Sequence, residues 1–274
     1  MSLSLPLSPQ VFAILSALVE ERTGLHYDLR ELELFAERVS ARATERGFES
    51  LLDYYYFLRY DEGAAAELAL LVDALVVNET YFFREVAPLK VVVRDILPPL
   101  LARGIKPRIW CAACSTGEEP LTLAMLLDEA QLLEQVTIVA SDISMRVLAH
   151  ARAGVYRRRS LRSLPPGVVG RWLEGDEDGM RVAPHISRAV SWHRVNLTDE
   201  REPAELGTFD VIICRNVLIY FRDQTIEKVV ERFWQQLEPD GNLLVGASES
   251  LLRFKVGFTC QEQGGAFFYR KLAQ

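Results

Sequence analysis

Two short apolar runs, Arg108 to Ala113 and Val136 to Ser141, enclose a helical stretch from Gly117 to Ala130. Strand, helix and strand in succession imply a parallel sheet with right-handed crossovers, the one hand in which a twisted strand packs its helix back onto the sheet. Further strands are expected at Phe209 to Cys214 and Asn242 to Ala247, with a helix from about Gln224 to Leu237 between them. Phe258 to Gln261 and Ala266 to Arg270, split by Gly264 and Gly265, read as a closing hairpin. The stretch from about Tyr156 to Leu197 breaks this rhythm. Pro165-Pro166-Gly167 and Gly175 to Gly179 are turn clusters, while Met180 to Val182 and Ala189 to Trp192 read as short antiparallel strands. A small β subdomain inserted into the sheet domain is the expectation.

The first part of the chain reads as helices. Ser8 and Pro9 make a cap and a first-turn proline, and Val11, Ile14, Leu15, Leu18 and Val19 recur at helical spacing. A second helix carries Leu32, Phe35 and Val39 and stops near Gly47; a third holds Tyr54, Tyr55, Phe57 and Leu58; a fourth runs from about Ala64 to Val76. The predicted architecture is α/β: an N-terminal helical domain over 1–77, then a Rossmann-like sheet domain over 78–274 with the inserted antiparallel β subdomain at about 156–197.

Composition narrows the function. The 274 residues are 49% hydrophobic and 25% charged, as in ordinary globular proteins, and no apolar run approaches the roughly 20 residues that span a bilayer. The N-terminus lacks Lys or Arg before Arg22, so no secretory signal is expected and the predicted location is cytoplasmic. The net charge is −7, and residues 1–75 account for it with thirteen Asp or Glu against six Arg. A nucleic-acid binder would be basic overall, so that class is disfavoured. Cys111 and Cys114 form a Cys-x-x-Cys pair at the end of a predicted buried strand. With no second pair and few histidines, they read as small core residues, and no metal is expected.

Five blocks carry chemistry. Asn78 to Arg84 (Asn-Glu-Thr-Tyr-Phe-Phe-Arg) stands where helices hand over to the sheet; its mixture of polar groups and rings predicts a half-buried ledge facing a ligand. Ile109 to Pro120 is strand, tight turn and helix start. Gly117 is read as allowing close backbone approach to a ligand, and Ser115 or Thr116 as helix caps. It is neither a dinucleotide fingerprint nor a Walker loop, which argues against phosphate wrapping. Asp142 ends the second strand, where acids accept hydrogen bonds from ribose hydroxyls, though an Asp there is also a common helix cap. Asn196 and Leu197 follow a third strand, suited to an adenine edge and face. Arg215, Asn216 and Tyr220 end a buried strand.

These blocks, in this order, resemble the CheR family of chemotaxis receptor methyltransferases. The resemblance spans most of residues 78 to 221, and the helical front end fits the same layout. It implies S-adenosylmethionine as cofactor and S-adenosylhomocysteine as product, with transfer of a methyl group to receptor glutamates. It further implies that Asn78, Thr80, Arg84, Glu118, Asp142, Asn196, Leu197, Arg215 and Asn216 line the cofactor pocket, with Arg84 and Tyr220 nearest the transfer. Phe82 and Phe83 are expected to form a dry wall. The implied partner is the cytoplasmic signalling domain of a chemoreceptor, with no nucleic acid and no membrane insertion. Two arginine sets are candidate docking faces: Arg38, Arg42 and Arg46 at helical spacing, and the seven arginines between Arg146 and Arg171, a stretch without acids. Competing readings are a methyltransferase for small molecules or RNA, and a non-catalytic cofactor sensor.

Overall fold

The computed structural model describes residues 5–176 and 179–272. Four helices come first: α1 (Pro9–Thr23), α2 (Leu32–Glu45), α3 (Leu51–Tyr60) and α4 (Ala64–Leu75). Ser8 caps α1, its hydroxyl accepting from Val11 N, and Gly24 ends it in the left-handed region at φ 79°. Gly24 is required twice over, since a Cβ there would stand 2.6 Å from the Thr198 methyl in the sheet domain. The helices share a core of Phe12, Leu15, Phe35, Val39, Tyr54 and Leu71. Within it, buried Glu67 accepts from Arg42 Nη2 at 2.8 Å and from the Tyr54 hydroxyl at 2.8 Å.

Helices α5 (Ala87–Val91) and α6 (Leu97–Ala102) run on through a π-helical turn over Val92–Ile96, just ahead of Pro98 and Pro99, whose missing N–H groups disturb the regular ladder. Next come β1 (Arg108–Ala112), α7 (Glu118–Glu129), β2 (Thr137–Asp142) and α8 (Met145–Ala153). The insert follows: β3 (Val155–Tyr156), β4 (Leu173–Asp176) and β5 (Gly179–Val182) form a separate antiparallel sheet in the order β3-β5-β4. Then α9 (Pro184–Arg188), β6 (Val190–Arg194), β7 (Phe209–Cys214), α10 (Asp223–Gln236), β8 (Leu237–Val245), β9 (Phe258–Gln263) and β10 (Ala266–Lys271) complete the chain.

The main sheet has the order β6-β2-β1-β7-β8-β10-β9. β6, β2, β1, β7 and β8 are parallel, whereas β10 is antiparallel to β8 and β9. Ala189 to Trp192 was expected as an antiparallel strand of the insert. Instead Val190 to Trp192 open β6, parallel to β2 with Ile138 opposite Val190, at the edge of the main sheet, and Ala189 caps α9. Period-two alternation sets which faces are buried but carries no strand direction.

Side chains alternate across β1: Ile109 and Cys111 enter the core on one face, Trp110 and Ala112 the core on the other. Trp110 is fully buried, and its Nε1 donates to Ser141 Oγ at 2.8 Å. Its truncation to Ala would cost roughly 3–5 kcal/mol. The strand order turns between β1 and β7, and open α/β sheets take ligands beyond the strand ends at such a point.

Candidate functional site

A cleft of about 1020 Å³, counted to its open mouth, lies at the carboxyl ends of β1, β2 and β7. Its floor is the turn leaving β1. Ala113 and Ser115 both take positive φ, 54° and 51°, held there by Cys114 N donating to Ser141 O and Ser115 N donating to Asp142 Oδ2, each at 2.8 Å. The other Asp142 oxygen accepts from Ser144 N at 3.0 Å. Burial pushes the Asp142 carboxyl above the ordinary range, and the backbone N–H groups pull it part of the way back. A carboxylate offers about four acceptor positions, so these bonds leave acceptor capacity open to a ligand.

The segment leaving α4 makes a second wall, with Asn78, Glu79, Thr80, Tyr81 and Arg84 on the cleft. Arg84 Nη1 donates to the Glu79 carbonyl at 2.7 Å. The Glu79 carboxylate binds Arg159 and, at 2.6 Å, Arg162; these two hold it below the usual carboxylate range. The Arg162 guanidinium also lies 3.9 Å from the Tyr81 ring centre. The insert, through the segment between β3 and β4, is thereby tied to the cleft wall.

The end of β7 gives the third wall. Buried Arg215 donates to the carbonyls of Glu85 at 3.0 Å and Arg84 at 2.9 Å, and its Nε stands 2.9 Å from Glu119 Oε2. Burial pushes the Glu119 carboxyl up, while Arg215 and Arg84 pull it down. Tyr220 also lines the cleft, and burial raises its phenol above 10.0. It is therefore a neutral hydroxyl at physiological pH.

Asn196 and Leu197 close the fourth side together with Thr23 and Leu25 from the end of α1. Asn196 Oδ1 accepts from Thr198 N at 3.0 Å and Thr198 Oγ1 at 2.8 Å, and its Nδ2 donates to the Arg22 carbonyl at 2.7 Å. The amide expected at an adenine edge is thus largely committed to its own turn and to α1.

Asn78, Thr80, Arg84, Asp142, Asn196, Leu197, Arg215, Asn216 and Tyr220, picked from four separate blocks, all line this one cleft. Glu118 does not. Its buried carboxylate accepts from Thr116 Oγ1 and Ser160 Oγ, both at 2.7 Å, and its neighbour Glu119 takes the cleft face. Successive helical residues point about 100° apart, so only one of the pair can face the cleft.

Phe82 and Phe83 are core residues rather than a dry wall, with Phe82 packed edge-on against Tyr156; the ring on the cleft is Tyr81. Gly117 serves packing rather than ligand approach: at φ 93°, a Cβ would stand 2.8 Å from Ala151 and Trp192. Gly117 is itself the N-cap of α7, without a side-chain cap, and Thr116 binds Glu118 instead. Arg38 and Arg42 are turned inward, to the Leu75 carbonyl at 2.7 Å and to Glu67, which leaves Arg46 as the exposed member of that stripe.

Sequence reasoning missed Glu119, Ser115, Thr23, Leu25 and Glu249. Glu119 was signalled only by adjacency to Glu118, Ser115 was read as a helix cap rather than a cleft residue, and Thr23, Leu25 and Glu249 lie in segments without a motif. Cys111, Cys114 and Cys214 are buried free thiols, pushed well up by burial. Among the described residues no group of three or more His, Cys, Asp or Glu is placed to hold a metal ion, and no helix is long and apolar enough to cross a membrane.

Residues 10–76 match the family model described as CheR methyltransferase, all-alpha domain, and residues 78–265 match CheR methyltransferase, SAM binding domain. Chemotaxis protein methyltransferase 2 of Vibrio cholerae is 36% identical over 239 residues, covering 85% of this chain and 83% of that protein. Chemotaxis protein methyltransferase 1 of Pseudomonas aeruginosa is 34% identical over 250 residues, covering 88% and 90%. The chemotaxis protein methyltransferase of Vibrio parahaemolyticus is 36% identical over 255 residues, covering 90% and 92%. With the helical front, the cofactor-type sheet and the cleft between them all accounted for, the chain belongs to the CheR family of methyltransferases, enzymes whose cofactor is S-adenosylmethionine.

Proposed function

We propose that this protein acts in the cytoplasm, methylating glutamate carboxylates on the cytoplasmic signalling domain of a chemoreceptor. The observation that carries the reading is the joint cleft. A buried acid at the end of β2, Arg84 from the interdomain segment and Tyr220 from the end of β7 face one space. In this reading residues 1–77 contribute to the side of the cleft, and residues 78–274 supply its floor and remaining walls.

The residues present fit the cofactor. Asp142 retains acceptor positions for ribose hydroxyls, Leu197 offers an apolar face, and the Ser115 hydroxyl lines the cleft without a protein partner. The floor carries no lysine, in keeping with a nucleoside that has no phosphate. We assign the cofactor to Asn78, Thr80, Arg84, Glu119, Asp142, Leu197 and Asn216, with Asn196 and Arg215 holding the walls.

When bound, S-adenosylmethionine supplies a methyl on a positively charged sulfur, which a carboxylate oxygen takes by displacement to leave S-adenosylhomocysteine. A substrate glutamate is already ionised at neutral pH, so no base is required. The chain's task is to orient that carboxylate and exclude water from it. Arg84 is the cation for orientation, because one of its nitrogens is held by the Glu79 carbonyl while the head still faces the cleft. Tyr220, neutral, donates a hydrogen bond rather than removing a proton.

Labelled S-adenosylmethionine with receptor-bearing membranes tests the reading. Base-labile label on a receptor band is the expected result. Absence of label with a competent receptor and confirmed cofactor binding would move the protein to the sensor reading or to another substrate.

A further inference from the structure

Glu249 lies in the turn after β8, outside the cleft lining and outside every sequence block that pointed to chemistry. It is 5% exposed. Its carboxylate faces a ring of backbone N–H groups. Oε2 accepts from Asn216 N and Gly246 N, each at 2.7 Å; Oε1 accepts from Val217 N at 2.8 Å, Leu218 N at 2.7 Å and, more weakly, Ile219 N at 3.4 Å. No Lys, Arg or His forms a salt bridge with it among the described residues. A buried carboxylate neutralised by amides alone is an anion nest turned inward, with the protein's own side chain as the anion.

The segment it grips carries three cleft residues, Asn216, Val217 and Tyr220. Asn216 begins it, held in the left-handed region at φ 59°, a conformation that a non-glycine residue keeps only under constraint. Tyr220 ends it, and its carbonyl accepts from His26 N at 2.9 Å at the end of α1. Four successive amides, from Asn216 to Ile219, point at one carboxylate. Gly246 leaves room for this: a Cβ there would stand 2.6 Å from Glu249 Oε2 and 3.0 Å from Asn216 N.

We propose that Glu249 is the positioning residue of the methyl-transfer site, fixing the 216–220 segment so that Asn216 and Tyr220 present their side chains to the cleft. The proposal rests on the roles assigned above to Asn216 and Tyr220. Glu249 acts through them and touches neither cofactor nor substrate. Glutamine cannot replace it. An amide in that place keeps one accepting oxygen and turns an NH2 towards the two or three backbone N–H groups that the other oxygen served.

The test is a double-mutant cycle between Glu249→Gln and Tyr220→Phe, with kcat measured per folded molecule, cofactor Kd by calorimetry, and amide exchange of the 216–220 peptide. Glu249→Gln is expected to lower kcat about tenfold or more, weaken cofactor binding several-fold and speed exchange in that peptide. In the Tyr220→Phe background its further effect on kcat should shrink to about twofold. Gly246→Ala keeps the carboxylate but pushes it aside, and should repeat the pattern if Glu249→Gln does not fold. A folded Glu249→Gln or Gly246→Ala protein with kcat and Kd both within about twofold of wild type would overturn the proposal. If Tyr220→Phe alone keeps full kcat, the role of Tyr220 falls. Glu249 then stands or falls on the cofactor Kd, compared with that of Asn216→Ala.

Discussion

Asn196 Nδ2 donates to the carbonyl oxygen of Arg22 across 2.7 Å, joining the turn after β6 to the last turn of α1. The same amide's oxygen takes both Thr198 donors, so one side chain sets a turn and docks a helix. Asn196→Ala should lower global stability by about 1 kcal/mol and weaken cofactor binding several-fold, because the wall bearing Leu197 loses its anchor. Denaturant unfolding and calorimetry on the same protein check both. Normal stability with lost binding would instead return Asn196 to direct cofactor contact.

Arg215 and Glu119 form a buried pair, and breaking one side of such a pair leaves an uncompensated charge. Arg215→Ala should destabilise by roughly 3 kcal/mol or more and abolish activity, since the Arg84 and Glu85 carbonyls also lose their donor. The double variant Arg215→Ala, Glu119→Ala should recover part of the stability but not the activity. Thermal melts and a methyl-transfer assay separate the two.

The cleft acids make opposite demands on pH. Asp142 and Glu119 have raised carboxyls in the fold, so between the ordinary range and their raised values the folded chain holds more protons than the unfolded one. Their contribution to stability is most favourable below the ordinary carboxylate range and is lost as pH rises through the raised values. Cofactor affinity should run the other way, because an ionised Asp142 is the better acceptor for ribose hydroxyls. Calorimetry from about pH 4.5 to about pH 8 should show affinity falling on acidification, with a midpoint above the ordinary Asp range. Asp142→Asn should bind weakly and lose that pH dependence.

Two pairs within the arginine-rich run differ. Arg157 and Arg158 are exposed, while Arg159 and Arg162 are engaged with Glu79 at the cleft wall. Arg157→Glu with Arg158→Glu should raise the receptor KM roughly tenfold at low salt and leave cofactor Kd unchanged. Arg162→Glu should instead weaken the cofactor, because it frees Glu79 and uncovers Tyr81. Equal effects of both variants on cofactor Kd would refute the division.

Much of this arrangement was legible in residue order. The apolar runs at β1, β2 and β7 announce a parallel sheet, and a polar residue closing a buried strand, such as Asp142 or Arg215, announces a site at its end. What stayed hidden was direction at fine scale. Nothing in Glu118-Glu119 says which carboxylate the helix phase will turn to the cleft. Nothing in Tyr81-Phe82-Phe83 says that the first ring is the one left outside the core. Arg38 and Arg42 spell a basic face until Glu67 and the Leu75 carbonyl, far along the chain, draw them inward. Glu249 has no motif at all, because what it recognises is backbone.

Leu25 bridges to Phe221, so the last side of the cleft joins a segment from early in the chain to one made about 200 residues later. On the ribosome, helices α1–α4 emerge early and can gather their own core while the segment that receives them is still untranslated. The cleft is therefore completed only once β7 and the segment through Phe221 have been made, the same point at which the helical core gains Tyr220 and Phe221 as packing partners.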